Sequence, residues 1–493
     1  MNSDRLLKAR AYEERMEEEI GRDERPAFHL SARVGWMNDP NGFGFYQGKY
    51  HLFYQYNPYH THWGPMHWAH AVSEDLLNWE TLPAALAPDE EYDRNGCFSG
   101  SAAETADGKH LLMYTGVRIE EYEDGSREEF QTQCLAVGDG VDYEKYAGNP
   151  VLSGKDLPEG AYLRDFRDPR IWRREDGSYR SVVGSRPADG SGQILLYGSE
   201  NGFDWSFMKV LAENRNRYGK MWECPDFFFL DGKGVLMVSP QDMLRVEGKF
   251  HSGSGNLCII GDWDHETETF TEEHVQVIDD GVDYYAMQTA CAPDGRRIMI
   301  AWMQNWDTQE HALNEKWFGQ MSLPREISVR NGRLIQQPVR EIEKLRVKTV
   351  SHADVKVAEK TQLDGVCGRY ADMEVTVRPD ENGLYERFTL TLAGNEQFDT
   401  KLVFEPAKGL LTMDRSNCGT RHAFAHRRHC RVGCEDGVIR LRVILDRNSI
   451  EVFVGEGEKT MTMLIPTELS ANAMSFEAEG GAVVGVTLHE LAH

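Results

Sequence analysis

Short apolar runs, each closed by Gly, Asp or Asn, fill the chain from about residue 28 to residue 340. Each run is long enough for a strand and too short for a helix, and no long helical pattern interrupts them. Clear examples lie at residues 50–54, 111–114, 194–197 and 298–302. The pattern predicts that this part of the chain is all-β.

A faint repeat runs through the same region. Residues 73–79 and 199–205 both begin with Ser-Glu and carry Trp six positions after the Ser. Weaker relatives of the motif contain Tyr143 and Trp263. Successive copies lie about 60 residues apart, which suits one four-stranded blade with its loops, and about 300 residues then give about five blades. A β-sandwich could also supply many short strands, but only a β-propeller explains the repeat.

The two ends of the chain have other characters. Residues 4–20 predict an amphipathic helix within an N-terminal segment at 1–27, followed by the propeller at 28–340. A short helical connector is expected at 338–346, and the linker between the two domains is expected at 341–351. Residues 438–445 and 449–454 alternate apolar and polar side chains, so 352–493 is predicted to be a β-sandwich.

Charge and composition exclude several classes of protein. The 493 residues carry a net charge of −26, from 54 basic and 80 acidic side chains, without a long basic cluster. Nucleic acid and membrane partners are therefore not expected. The charged first twenty residues have no signal-peptide core. Nine scattered cysteines then indicate reduced thiols in the cytoplasm. Exposed sandwich edges leave a homodimer open.

Three acidic residues stand in unusual local settings. Asp39 lies in a Trp-Met-Asn-Asp-Pro-Asn-Gly run, where Pro40 favours an extended Asp39 and the following Asn-Gly favours a turn. Alone, such an Asp could simply bond nearby backbone amides. Asp168 also precedes a proline and has arginines around it, which favour the ionised carboxylate. Glu223 lies between Trp and Cys, and an apolar neighbourhood raises the pKa of a carboxyl.

One carboxylate kept charged and one carboxyl kept protonated make the pair that a retaining glycosidase uses. The surrounding side chains suit sugars, since aromatic faces stack on sugar rings and polar groups bond hydroxyls. The candidate aromatic platforms are Trp36, Trp63, Trp68, Phe98, Trp222 and Trp302. The candidate hydroxyl partners are Asn38, Gln55, Ser99 and Arg167.

Several ordered blocks together resemble the signatures of glycoside hydrolase family 32. They occupy residues 36–42, 54–58, 62–64, 98–101, 167–169, 222–226, 281–286 and 445–453. The family contains invertases, sucrose-6-phosphate hydrolases and fructan hydrolases. The resemblance implies a five-bladed propeller with the site in its central funnel, followed by a β-sandwich, and requires no cofactor or metal.

The resemblance also implies roles for single residues. Asp39 would be the nucleophile on the anomeric carbon, Glu223 the acid/base, and Asp168 the stabiliser of the transition state. The residues expected to bind the fructosyl unit are Trp36, Asn38, Gln55, Trp63, Phe98, Ser99, Arg167, Tyr285 and Trp302. Met287 departs from the family pattern, in which proline often occupies this position.

Two clusters of possible metal ligands also occur in the sequence. The first, His60, His62, His67 and His70, fits no zinc template well and is expected to hydrogen-bond around the funnel. The second consists of Cys418, His422, His426, Cys430 and Cys434. A structural zinc in the second cluster stays open.

The sequence thus predicts a cytoplasmic β-fructofuranosidase that hydrolyses sucrose, sucrose 6-phosphate or short fructo-oligosaccharides with retention. A fructosyltransferase with the same acids is one alternative. A propeller glycosidase for other furanosides and a non-catalytic fructan-binding propeller are the others. The sequence does not choose among the three substrates or give the ratio of hydrolysis to transfer.

Overall fold

The computed structural model describes residues 3–308, 316–419, 425–434 and 436–493. The described chain is a β-propeller followed by a β-sandwich, with one N-terminal α-helix, which confirms the predicted fold class. Short 3-10 turns span Arg22–Glu24, Gly154–Asp156, Leu163–Asp165, Arg340–Leu345 and Pro406–Lys408. No helix among these residues is long and apolar enough to cross a bilayer.

Helix α1 (Asp4–Glu17) ends three residues before the predicted end. Its N-terminus is capped by Ser3, whose hydroxyl accepts a hydrogen bond from the Leu6 amide at 3.1 Å. Leu6 forms a small buried cluster with Ala84 and Ala87 of the first blade. The helix is therefore fixed to the propeller by this apolar cluster and by the buried Glu13 carboxylate, which accepts hydrogen bonds from the Ala84 amide and from Arg33, both at 2.9 Å.

Five sheets make up the propeller in the described residues, and each is called a blade. Blade 1 contains β1 (Gly35–Tyr46), β2 (Lys49–Asn57), β3 (His67–Ser73) and β4 (Trp79–Leu86). Blade 2 contains β5 (Gly96–Glu104), β6 (His110–Glu121), β7 (Arg127–Gly138) and β8 (Tyr143–Lys145). Blade 3 contains β9 (Arg167–Arg173), β10 (Tyr179–Ser185), β11 (Gln193–Ser199) and β12 (Ser206–Glu213).

The remaining two blades follow the same order. Blade 4 contains β13 (Trp222–Leu230), β14 (Lys233–Pro240), β15 (Leu257–Asp264) and β16 (Thr269–Val277). Blade 5 begins with β17 (Tyr285–Cys291) and β18 (Arg297–Trp302); then β19 (Trp317–Phe318) joins blade 1, and β20 (Arg325–Arg330) and β21 (Arg333–Pro338) complete blade 5.

The blades close into a ring through their inner strands. β1, β5, β9, β13 and β17 each contact the next inner strand, and β17 contacts β1. β19 pairs in parallel with the start of β1, so that Trp36 lies beside Phe318. A late segment of the chain thereby completes the first blade and holds the ring shut.

The sequence repeat marks one turn of the blade. Trp79 and Trp205 both follow the third strand of a blade, and each indole donates a 3.0 Å hydrogen bond to a backbone carbonyl three residues earlier. The accepting residues, Leu76 and Gly202, both have positive φ angles of 70° and 83°. The repeat therefore encodes the connection between the outer two strands.

Two sheets form the sandwich. The strands are β22 (Arg346–Val357), β23 (Ala371–Pro379), β24 (Arg387–Gly394), β25 (Asp399–Glu405), β26 (Leu410–Asn417), β27 (Arg427–Arg431), β28 (Ile439–Asp446), β29 (Ser449–Val454), β30 (Lys459–Leu464), β31 (Ala473–Glu479) and β32 (Ala482–Leu491). The order is β22-β32-β23-β28-β29-β30 in one sheet and β27-β26-β25-β24-β31 in the other. β22 begins inside the expected linker. The sequence does not predict this start, because the mostly exposed edge strand lacks the apolar alternation of a half-buried strand.

Buried charges join the sandwich to the propeller. His29 lies 2.7 Å from Asp446 and 2.9 Å from Glu451, both of which belong to the sandwich. Arg325 of blade 5 binds Glu451 at 2.6 Å and Asp279 at 3.0 Å. These five residues are called the interface network.

Candidate active site

Every inner strand carries a β-bulge at the same level of the funnel. In blades 1, 3, 4 and 5, two residues of the inner strand oppose one residue of its neighbour. Those pairs are Asn38-Asp39, Asp168-Pro169, Cys224-Pro225 and Ala286-Met287. Blade 2 has a single extra residue, Ser99. Because bulges re-aim side chains, five of them on one ring concentrate polar groups at its centre.

Backbone strain accompanies the bulges. Asp168, Cys224 and Ala286 have φ angles of 65°, 50° and 56°, in the left-handed region that side chains rarely adopt. Proline follows the first two of these residues, whereas Met287 follows the third. The departure at Met287 thus falls on the bulge position that proline holds in blades 3 and 4.

A cavity of about 390 Å³ opens above the bulges. The predicted residues that line it are Asn38, Asp39, Gln55, Trp63, Phe98, Ser99, Arg167, Asp168 and Glu223. Sequence reasoning missed the other lining residues, Asn95, Val117, Ile119, Glu129, Gln131, Arg164, Asp165, Gln241 and Trp306. The volume suits a sugar-sized ligand.

Asp39 is buried at the base of this cavity. Its Oδ2 accepts a hydrogen bond from the Ser99 hydroxyl at 2.7 Å and contacts the Cys224 thiol at 3.4 Å. Its buried Oδ1 has no hydrogen-bond partner within the described residues. Burial and the nearby Glu223 carboxylate raise the pKa of Asp39 to about 6, against the smaller lowering effect of Ser99.

Asp168 is tied to blade 4 through the backbone of Cys224. The Cys224 amide donates to Asp168 Oδ2 at 2.8 Å, while the Arg167 guanidinium lies 3.9 Å from the same oxygen. The sequence predicted that arginines keep this carboxylate ionised, and the structure corrects that. Burial outweighs Arg167, and Glu223 and Asp39 add repulsion, so that the pKa of Asp168 is raised to about 7.

Glu223 accepts hydrogen bonds from residues of the two neighbouring blades. Arg167 of blade 3 donates to Oε1 from Nη2 at 3.0 Å and from Nε at 3.3 Å. Tyr285 of blade 5 donates to Oε2 at 2.6 Å. The carboxyl group therefore lies between a guanidinium and a phenol, and not in the apolar surroundings that its sequence neighbours suggested.

Three predicted aromatic residues lie beneath the cavity and do not line it. Trp36, Tyr285 and Trp302 are fully buried, in a cluster with Cys224 and Phe318. Trp36 stacks on Phe318 at 4.4 Å, and its indole donates to Asn38 at 2.7 Å. They support the residues above them. The aromatic side chains that line the cavity are Trp63, which is 46% exposed at the rim, Phe98 and Trp306.

Four of the missed residues belong to strand positions that carry no distinctive local signal. Val117 and Ile119 on β6, and Glu129 and Gln131 on β7, are alternate residues of one hairpin, so they share one face. Only the packing of that hairpin beside blade 3 turns the face toward Arg167. Alternation alone could have shown that these four side chains act together, but not where they point.

The proposed histidine cluster does not assemble. His60 and His62 stack on each other at 4.9 Å, His67 bonds the Pro65 carbonyl, and His70 instead pairs with His51 at 2.9 Å in the core of blade 1. No set of three His, Cys, Asp or Glu side chains within the described residues could hold a metal ion. His422, from the second cluster, lies outside those residues.

Three carboxyl groups from three blades, two of them with raised pKa values, converge on a sugar-sized cavity. That arrangement defines a glycoside hydrolase of the propeller class.

Comparison with known proteins agrees with this class. Residues 29–338 match the family model described as the glycosyl hydrolases family 32 N-terminal domain, and residues 341–491 match the family 32 C-terminal model. The chain is 37% identical over 476 residues to a sucrose-6-phosphate hydrolase of Zymomonas mobilis, covering 93% of this chain and 90% of that protein. It is 37% identical over 494 residues to a raffinose invertase of Escherichia coli, covering 97% and 98%.

Solved structures give the same result. The Bombyx mori family 32 β-fructofuranosidase BmSUC1 is 33% identical, with a TM-score of 0.83 over 100% of this chain and 99% of that one. A BmSUC1 variant solved in complex with sucrose gives a TM-score of 0.84, with 33% identity and the same coverage. The chain belongs to glycoside hydrolase family 32, and it is a β-fructofuranosidase of the invertase type.

Proposed function

We propose that this enzyme cleaves β-fructosides by double displacement, with Asp39 as nucleophile and Glu223 as acid/base. The observation that carries the proposal is the position of Cys224, which directly follows Glu223. Its thiol contacts Asp39 at 3.4 Å and its amide bonds Asp168 at 2.8 Å. A single residue thus brings the three carboxyl groups together around one point of the cavity.

In the first half-reaction, Asp39 attacks the anomeric carbon of the fructosyl unit while Glu223 protonates the departing oxygen. Arg167 and Tyr285 both donate to Glu223, so they stabilise the carboxylate left after its proton has gone. In the second half-reaction, Glu223 takes a proton from water, and that water releases fructose from Asp39. Asp168 would face the oxocarbenium-like centre and stabilise its developing positive charge.

The fructosyl unit would occupy the inner part of the cavity. Asn38, Gln55 and Ser99 offer amide and hydroxyl groups there. Phe98 and Trp63 offer aromatic rings, which contact each other edge to face with their centroids 5.9 Å apart. Trp36 and Trp302 would shape this pocket from below. The leaving group would then lie toward Arg164, Glu129 and Gln241 at the cavity rim.

The choice among sucrose, sucrose 6-phosphate and short fructo-oligosaccharides is tested by kcat/KM on sucrose, sucrose 6-phosphate, kestose and inulin in parallel. Arg164 gives a sharper test, because its side chain is 64% exposed at the rim. If a phosphate binds there, Arg164→Gln lowers kcat/KM for sucrose 6-phosphate and leaves the value for sucrose as it was. An equal effect on both substrates would exclude phosphate recognition by Arg164.

Hydrolysis is proposed as the main outcome, with fructosyl transfer as the competing one. The ratio of free fructose to free glucose at high sucrose concentration measures the partition. A ratio near one supports hydrolysis, and a deficit of free fructose shows transfer. If neither free fructose nor free glucose is released, the proposed function is wrong.

A cytoplasmic location is also proposed, because Cys97, Cys134, Cys224 and Cys258 are buried free thiols, as a reducing compartment requires. Cell fractionation followed by an activity assay tests it. A homodimer stays a prediction, for which sedimentation is the measurement.

A further inference from the structure

Asp226 repeats, one level deeper, the contacts that hold Glu223. It follows Glu223 by three residues on β13 and is fully buried. Its Oδ2 accepts hydrogen bonds from the Thr289 amide at 2.6 Å and the Thr289 hydroxyl at 2.8 Å. Its Oδ1 forms an ion pair with Arg170 Nε at 2.9 Å. A carboxylate of blade 4 is thus held by blade 3 on one side and by blade 5 on the other.

The same two strands hold Glu223. Arg170 follows Arg167 by three residues on β9, and Thr289 follows Tyr285 by four residues on β17. Arg170 also donates to the Thr289 carbonyl at 2.7 Å, which joins blades 3 and 5 directly beneath the acids. The strands that carry Arg167, Glu223 and Tyr285 are therefore fastened together immediately below the bulges that separate the two levels.

These contacts are part of a closed circle under the site. The other links are Asn41 to Gly100, Ser101 to Pro169 and Ile171, and Gln288 to both Phe43 and Gly100. Neighbouring blades are not joined by covalent bonds at this level, so non-covalent links fix their spacing. Within this circle the Arg170–Asp226 link is ionic, and the buried pair has little freedom to rearrange.

We propose that Asp226 is a positioning residue for Glu223: it sets the spacing of blades 3, 4 and 5 and so aims the acid/base at the leaving-group oxygen. The inference rests on the acid/base role proposed for Glu223. Loss of the Asp226 charge leaves Arg170 without its counterion and lets the three strands shift. A displacement of about 1 Å in a catalytic group can cost roughly 100-fold in rate.

Asp226→Asn is the first test, since it keeps the volume and an acceptor for Thr289 while removing the charge. We expect kcat on sucrose to fall roughly 10- to 100-fold, with KM changed less than about threefold. 4-Nitrophenyl β-D-fructofuranoside is the second substrate, because its leaving group needs little protonation. On this substrate the loss should be at least about fivefold smaller.

The matched control is Glu268→Gln, because Arg180 of blade 3 binds Glu268 of blade 4 at 3.0 and 3.1 Å far along the same pair of blades. It removes an inter-blade ion pair whose carboxylate is 12% exposed, against 0% for Asp226, and should lower Tm without separating the two substrates. If Asp226→Asn does not fold, Thr289→Val removes one of the two bonds to Oδ2, together with the 2.8 Å bond that the Thr289 hydroxyl accepts from Arg297, and should give the same substrate dependence at smaller size.

Equal losses on both substrates, in Asp226→Asn or Thr289→Val, would overturn the positioning role and leave a structural one. So would an unchanged kcat. Glu223→Gln serves as the reference in the same assay. If Glu223→Gln does not itself discriminate between the substrates, the proposed acid/base role fails; if it does and the Asp226 variant does not, only the positioning role fails.

Discussion

Two groups of buried carboxylates, one in the funnel and one between the domains, have pKa values shifted in opposite directions. Burial alone raises the pKa of Asp446 and Glu451, but the bonds from His29 and Arg325 reverse the shift, and both pKa values fall below their usual range. In the funnel, burial raises the pKa values of Asp39 and Asp168, repulsion from Glu223 raises both further, and Arg167 beside Asp168 does not reverse the shift.

The difference teaches what each group is for. In the interface network every carboxylate has a cation within 3.0 Å, which makes it a structural contact. In the funnel, negative charge exceeds positive charge and one oxygen of Asp39 has no bond within the described chain. Repulsion among these carboxylates lowers the stability of the folded protein when the site is empty. The same negative charge stabilises the positive charge that develops on a substrate in the transition state.

The largest effect is expected at Asp39. Asp39→Asn should lower kcat at least about 1,000-fold, because it removes the proposed nucleophile. It should also raise the unfolding free energy at pH 8 by on the order of 3 kcal/mol, because a carboxylate with a raised pKa costs stability once it is ionised. Below about pH 3 the wild-type carboxyl is protonated in both the folded and the unfolded state, and the gain should vanish. Lower Tm for the variant at pH 8 would contradict the comparison.

The next effect is expected in the interface network. Glu451→Gln leaves His29 and Arg325 short of a buried negative charge, and we expect a loss of about 3–5 kcal/mol in unfolding free energy. Urea denaturation measures it. Residual activity of the folded fraction should stay close to that of the wild type, since the network lies outside the cavity. A neutral or stabilising result would show that the two groups do not differ as described.

The pH dependence of stability separates the groups further. Although burial lowers it, bonds to Asp446 and Glu451 raise the pKa of His29 to about 9. A raised histidine pKa gives stability that is fully present below about pH 6.5 and is lost as pH rises through about 9. Tm should therefore fall between pH 7 and pH 10, and His29→Gln should flatten that slope. If Tm of the variant falls with pH as steeply as Tm of the wild type, groups other than His29 cause the loss of stability at alkaline pH.

The smallest effect is expected at Tyr285, which links the buried floor to Glu223. Tyr285→Phe removes the 2.6 Å bond to Glu223 and the 3.1 Å contact of the same hydroxyl with the Ser239 carbonyl. One charge-assisted hydrogen bond corresponds to roughly a 10-fold loss in kcat/KM. Steady-state kinetics on sucrose measure it, with Tyr284→Phe as a neighbouring control that lies off the cavity. A Tyr285→Phe enzyme with full activity would mean that Arg167 alone holds Glu223.

Much of the site could be predicted from local sequence. Asp39, Asp168 and Glu223 each stand in a short run with proline and an aromatic or basic neighbour, and all three reach the cavity. The roles given to them stay predictions. The sequence predicts ligand contacts for Trp36, Tyr285 and Trp302, which the structure places beneath the cavity. An aromatic side chain beside an acidic residue gives the same sequence pattern whether it faces the cavity or the core.

The sequence by itself determined the all-β propeller and sandwich, because strand length, turn residues and the Ser-Glu…Trp repeat are local properties. It also determined which strands carry the acids. The tertiary structure alone decided their surroundings. Glu223 meets Tyr285 across 62 residues and Arg167 across 56, and His29 meets Asp446 across 417. Electrostatic shifts depend on such distances and on burial, so they arise only once the ring has closed.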